Sequence, residues 1–94
     1  MAQILWSQQA RDDLKAIIEY IKQDSIQVAT KFAKSLVISI QKLSQFPKMG
    51  RIVPELSQSH YREIFFGSYR IIYLDFESSV EIIAIIHAKR QFKI

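Results

Sequence analysis

The sequence changes its apolar period once, near Pro47, and that switch limits the fold more than any other feature. Upstream, apolar residues recur three and four apart; downstream, they gather into short runs rich in β-branched and aromatic residues. Helices followed by strands, rather than the two in alternation, predict an α+β domain with the helices packed on one face of a mainly antiparallel sheet. The chain has 94 residues. Since a domain takes roughly 100–200 residues, it reads as one domain over 1–94.

The upstream half opens on Gln3-Ile4-Leu5-Trp6, a short strand. Ser7 is placed to N-cap a helix whose stripe is Ala10, Leu14, Ile17, Ile18 and Ile21. Asp12 and Asp13 fall early in it, where negative charge suits the helix dipole. Lys22-Gln23-Asp24-Ser25 closes this helix and starts a second, over 26–45. Its buried stripe is Ala29, Phe32, Ala33, Leu36, Ile40 and Leu43, with Val28, Val37 and Ile38 widening the apolar surface. Pro47 disfavours helical geometry at Phe46. The short connection makes the two helices an antiparallel hairpin.

Downstream, 48–51 reads as a turn and 52–59 as irregular chain broken by Pro54. Strands follow over 60–66, 69–76 and 80–88. Gly67-Ser68 fits a two-residue hairpin turn between the first two. Residues 89–94 are a basic tail. The order is β-α-α-β-β-β, and the sheet face away from the helices needs a cover, a polar surface or a partner.

Several chemistries drop out. With no Cys, disulfides, thiolate metal sites and thiol catalysis are excluded. Two His without metal-ligand spacing argue against a metal site, and no Gly-rich phosphate loop, HExxH or GxSxG is present. No cofactor is expected. No apolar run approaches the roughly 18 residues of a membrane span, and charges at Arg11, Asp12 and Asp13 stand where a signal peptide would be apolar. A cytoplasmic protein without a membrane partner is expected. The net charge of +4 admits an anionic partner without requiring one. Four of the five arginines, Arg51, Arg62, Arg70 and Arg90, lie in the second half.

Five places could carry chemistry. Gly50-Arg51 follows the helical hairpin: turn chemistry with an exposed charge, or a binding arginine. Glu55 is a loop carboxylate, either solvated, a proton acceptor, or the partner of an arginine. Arg62 and Glu63 are neighbours in a strand and point to opposite faces; such charges also discourage sheet aggregation at an edge. Arg70 interrupts an apolar strand. With the turn at Gly67-Ser68 it lies opposite Phe65, on the face carrying Glu63. Burying a guanidinium is expensive unless it is paired, so Arg70 either meets a carboxylate such as Glu63 or Glu55 or lines a groove. His87 ends the last strand just before Lys89 and Arg90, and its ordinary pKa of about 6.5 suits acid–base work. A two-residue turn at Ser78-Ser79 sets Arg70 opposite His87; a three-residue turn at Glu77-Ser78-Ser79 sets Tyr69 there instead.

Together these residues resemble the RelE/ParE superfamily of bacterial toxins from type II toxin–antitoxin modules, over nearly the whole length. Trp6-Ser7, Ala10, Asp13-Leu14, Ile17 and Tyr20-Ile21 are similar to its first helix. Phe46-Pro47, Gly50-Arg51 and Pro54-Glu55 are similar to its linker, and Arg62-Glu63, Tyr69-Arg70-Ile71-Ile72-Tyr73, His87 and Arg90 to its sheet. The resemblance implies a growth-inhibiting toxin, of the kind linked to plasmid stabilisation. A cognate antitoxin would neutralise it, in a hetero-oligomer or beside a homodimer. It implies two targets. ParE-like members poison DNA gyrase; RelE-like members cleave ribosome-bound mRNA without a metal. In the second case Arg70, Glu55, His87 and Arg90 are the catalytic candidates, with Glu55 or His87 as base or acid and the arginines on the phosphate. Arg51, Arg62 and Lys89 are the candidates for binding target or nucleic acid. RelE-like members carry lysines where this chain has Tyr61 and Glu63, which favours the ParE-like reading.

Overall fold

Two serines start the two helices. Ser7 is extended and its hydroxyl accepts from the Ala10 amide at 3.0 Å, opening α1, Gln8–Lys22. Ser25 does the same for Val28 at the head of α2, Ile26–Gln41. The structure, a computed structural model, describes residues 1–57 and 60–93. The second helix ends before residue 45. Its last turn tightens into a 3₁₀ turn, Lys42–Ser44, a common way to satisfy final carbonyls. No helix among the described residues is long and apolar enough to cross a membrane.

Five strands form one sheet: β1 (Gln3–Trp6), β2 (Arg51–Ile52), β3 (Tyr61–Phe66), β4 (Tyr69–Asp75) and β5 (Ser79–His87), in the order β1-β5-β4-β3-β2. β1 runs parallel to β5, and the other pairs are antiparallel. The α+β domain and its β-α-α-β-β-β order therefore stand, with one addition. Arg51 and Ile52, expected in a turn and in irregular chain, pair with Glu63 and Arg62 as a two-residue edge strand. Gln58, Ser59 and Ile94, part of the expected irregular stretch and tail, lie outside the described residues.

The helix-side core joins Ala10, Leu36, Ile40 and Leu43 to Ile64, Ile71, Tyr73, Val80, Ile82 and Ile85. Phe32 and Ala33 are half-buried, whereas Val28 and Ile38 are exposed. The other sheet face has its own cover. Val53 and Leu56 from the loop after β2 and Phe92 from the tail close over Tyr61, Ile72, Ala84 and Ile86.

Gly67 turns at φ +56°, and Phe65 faces Arg70 as the turn chemistry requires. The β4–β5 turn takes neither expected form. The Phe76 amide bonds the Ser79 carbonyl, with Glu77 at φ +67° between them. Pairing then slips by one residue: Tyr73 faces Ile82 but Ile72 faces Ala84, leaving Ile83 as a bulge. Beyond it Tyr69 faces His87. The bulge is tied to the start of the helical layer. The Ser7 hydroxyl donates to the Ile83 carbonyl at 3.1 Å, and the Asp13 carboxylate accepts from the Ile85 amide at 2.9 Å. Because α1 begins at Gln8, neither Asp12 nor Asp13 lies in its first turn. Asp13 stabilises a backbone amide across the interface, and Asp12 pairs with Gln8.

Candidate functional site

The alternation of β3 sends Arg62 and Glu63 to opposite faces, and each anchors a separate charged cluster. On the face away from the helices, Glu63 and Arg70 are buried side by side. The Arg70 Nε donates to Glu63 Oε1 at 2.7 Å, and Nη2 lies 2.6 Å from the same oxygen. Nη1 and Nη2 grip the two oxygens of Glu55 at 2.7 and 2.9 Å, and Nη1 also donates to the Arg90 carbonyl at 2.7 Å. A guanidinium has five N–H groups; four hydrogen bonds and the close Nη2–Glu63 ion pair engage all three nitrogens of the fork. Arg51 closes the row, pairing with the other oxygen of Glu63 while its guanidinium lies 5.1 Å from the Phe65 ring centre. The two sequence alternatives for Arg70 resolve as a paired arginine, held by both carboxylates named for it.

Hydrogen bonds from Arg70, then from the Phe92 amide at 3.0 Å, outweigh burial and lower the Glu55 carboxyl from 4.5 to about 2. Those same bonds to Glu55 are the main reason the Arg70 pKa is raised. At neutral pH Glu55 is thus an ionised ion-pair partner and a weak proton acceptor. The linkage has a definite sign. A carboxyl depressed in the folded state adds stability above about pH 4.5, and loses it as pH falls toward 2. The urea midpoint of the wild type should therefore drop more steeply between pH 5 and pH 3 than that of Glu55→Gln. Equal slopes would remove Glu55 from the acid-labile part of the fold. The effect is modest, because the side chain is 22% exposed.

On the helix side, Arg62 donates to the Gly50 carbonyl at 2.8 Å, and its Nε lies 3.5 Å from Asp75. Asp75 accepts from Lys48 at 3.1 Å and from the Glu77 amide at 2.9 Å. Burial pushes its carboxyl up, but the Glu77 amide, Lys48 and Arg62 prevail and hold it below the usual range. The Tyr73 hydroxyl donates to the Pro47 carbonyl at 2.7 Å and accepts from the Gly50 amide at 3.0 Å. Lys48, Tyr73 and Asp75 thus fasten the loop after the helical hairpin. Sequence reasoning passed over all three, although a tyrosine hydroxyl and an aspartate inside a core strand both call for partners.

The candidates do not all meet. Arg70, Glu55 and the backbone of Arg90 converge on one face. His87 shares the opposite face with Tyr69, their rings 6.0 Å apart, and its exposed ring accepts from the Lys89 amide at 3.3 Å. The side chains of Arg51, Lys89 and Arg90 are exposed, whereas Arg62 is largely covered.

The family described as ParE toxin of type II toxin-antitoxin system, parDE, matches residues 4–92. Toxin RelE2 of Caulobacter vibrioides is 35% identical over 91 residues, covering 96% of this chain and 99% of that protein. The fold also superposes on a solved chain of the chromosomal ParDE TA system from P. aeruginosa with a TM-score of 0.78 at 20% identity, over 95% of this chain and 98% of that one. With both helices, the four later strands and all but the first residue of β1 inside the matched span, the chain belongs to the ParE toxin family of type II toxin–antitoxin systems, within the RelE/ParE superfamily.

Proposed function

We propose that this chain is a gyrase-directed growth inhibitor of the ParE type, held inactive by a cognate antitoxin. The carrying observation is the closed fork of Arg70, with all its contacts taken by Glu55, Glu63 and the Arg90 carbonyl. Cleavage of RNA through its 2′-hydroxyl needs a base, an acid and a free cation converging on one phosphate. Here the cation is spent, Glu55 is ionised, and His87 stands on the other face of the sheet. This supports a protein that acts by binding. The antitoxin half of the reading is supported by the family and by an open groove of about 440 Å³ between β1 and α1, lined by Trp6, Arg11, Leu14, Lys15 and Ile18.

The test separates the targets. RNA ends are mapped after the chain is induced, and purified gyrase is assayed for supercoiling with the purified chain. Inhibited gyrase, with gyrase–DNA complexes trapped and mRNA intact, is the expected result. Cuts at codon positions in translated mRNA would overturn it in favour of the ribosome-dependent nuclease. Neither effect would leave a non-toxic binding module of the same fold.

A further inference from the structure

Residues 88–93, after β5, form no helix or strand, yet they are fastened at three successive points. The Ala88 amide donates to the Ser68 carbonyl at 2.7 Å. The Arg90 carbonyl accepts from Arg70 at 2.7 Å, and the Phe92 amide donates to Glu55 at 3.0 Å. The Phe92 ring packs into the small core with Val53, Ile72 and Ala84. Between and beyond these anchors the side chains of Lys89, Arg90 and Lys93 are exposed. Left alone, a short segment with three like charges would extend and sample many shapes. Beneath it, Arg51 and Arg70 are paired with Glu63 and Glu55, whereas no ion pair among the described residues involves the side chains of Lys89, Arg90 or Lys93.

We propose that Arg70 and Glu55 are positioning residues: they meet no target themselves but hold 90–92 so that Lys89, Arg90 and Lys93 reach an acidic surface of the target protein as one fixed set. Pre-ordering the segment removes a loss of freedom that binding would otherwise incur. The proposal rests on the reading of the chain as a target-binding toxin. It differs from the catalytic assignment in making Arg70 act only through the tail.

The experiment is a cycle on the full chain, read by the inducer dose needed to stop growth and by hydrogen exchange. Glu55→Gln and Phe92→Ala are used because they spare buried Glu63 and Arg70; a cooperative melt of each variant is the check that the fold survives. Each should raise exchange at tail amides, including residue 92, by about tenfold without changing the amides of β4. Each should also weaken growth inhibition by about tenfold, as should the combined change Lys89→Ala, Arg90→Ala, Lys93→Ala. In the background lacking those cations, Glu55→Gln should cost less than about twofold more, because its route to the target is already gone. Losses that multiply in that background, or unchanged tail exchange in Glu55→Gln, would overturn the proposal while the toxin reading stands. A wild-type chain that leaves growth unaffected would overturn both.

Discussion

Arg70→Ala is expected to lower the melting temperature by about 12–24 °C, from a loss of about 3 kcal/mol at 4–8 °C per kcal/mol for a domain of this size. The cost comes from what is left behind. The Glu63 side chain has no exposure, so its carboxylate cannot turn to water when the guanidinium goes. Arg51 remains on one of its oxygens, which keeps the loss at the lower end of the 3–5 kcal/mol range for a broken buried pair. Glu55 can re-solvate, and the Arg90 carbonyl loses its donor. A thermal melt decides it: a shift below about 5 °C would mean that water reaches Glu63 and that the pair is a surface one. Arg70→Lys should recover only part of the loss, since an ammonium cannot span both carboxylates and a carbonyl with a planar fork.

Gly50→Ala should cost about 2–4 kcal/mol, a large effect for one methyl group. A Cβ at this position would lie 2.6 Å from the Glu63 carbonyl and 2.6 Å from the Tyr73 hydroxyl. The carbonyl belongs to the paired backbone of β3, and the hydroxyl is fixed between Pro47 and Gly50 itself. Neither can retreat without breaking a hydrogen bond that holds the loop to the sheet. Gly67→Ala is the internal comparison. Nothing lies within 4 Å of a Cβ there, and only its φ of +56° resists substitution, so about 1 kcal/mol is expected. Urea unfolding of the two variants should separate crowding from backbone conformation. Equal losses would mean that the loop at Gly50 moves aside freely.

Arg70 was the most legible residue in the sequence. A charge within an apolar strand demands a partner, and the period of two with a turn at Gly67-Ser68 puts Glu63 on its face from the sequence alone. Glu55 was reachable by chemistry alone, as one of the few carboxylates nearby in the chain. The contacts to Arg90 and Phe92 were not, because a segment without periodicity gives no register. The face of His87 turned on a bulge at Ile83, and a bulge is set by what lies across the interface, here Ser7 and Asp13 more than 70 residues earlier. The short strand Arg51–Ile52 was missed for a similar reason. Two residues carry no period, and their pairing is specified by Arg62 and Glu63.

The strand order β1-β5-β4-β3-β2 places β5, the last strand to be synthesised, between the first strand and the hairpin that precedes it. Until residues 79–87 are available, β1 has no parallel neighbour, and the carbonyl and amide that Ser7 and Asp13 engage do not exist. A nascent chain can therefore pair β2, β3 and β4 but cannot join β1 to them, and its closing contacts span most of its length, a topology that folds slowly for its size. A ribosome that stalls, or a protease that cuts, before residue 79 releases a chain lacking the interior strand that joins β1 to β4. The interval between synthesis and closure is therefore one in which the apolar edge of β1 and the helix-side core stand open.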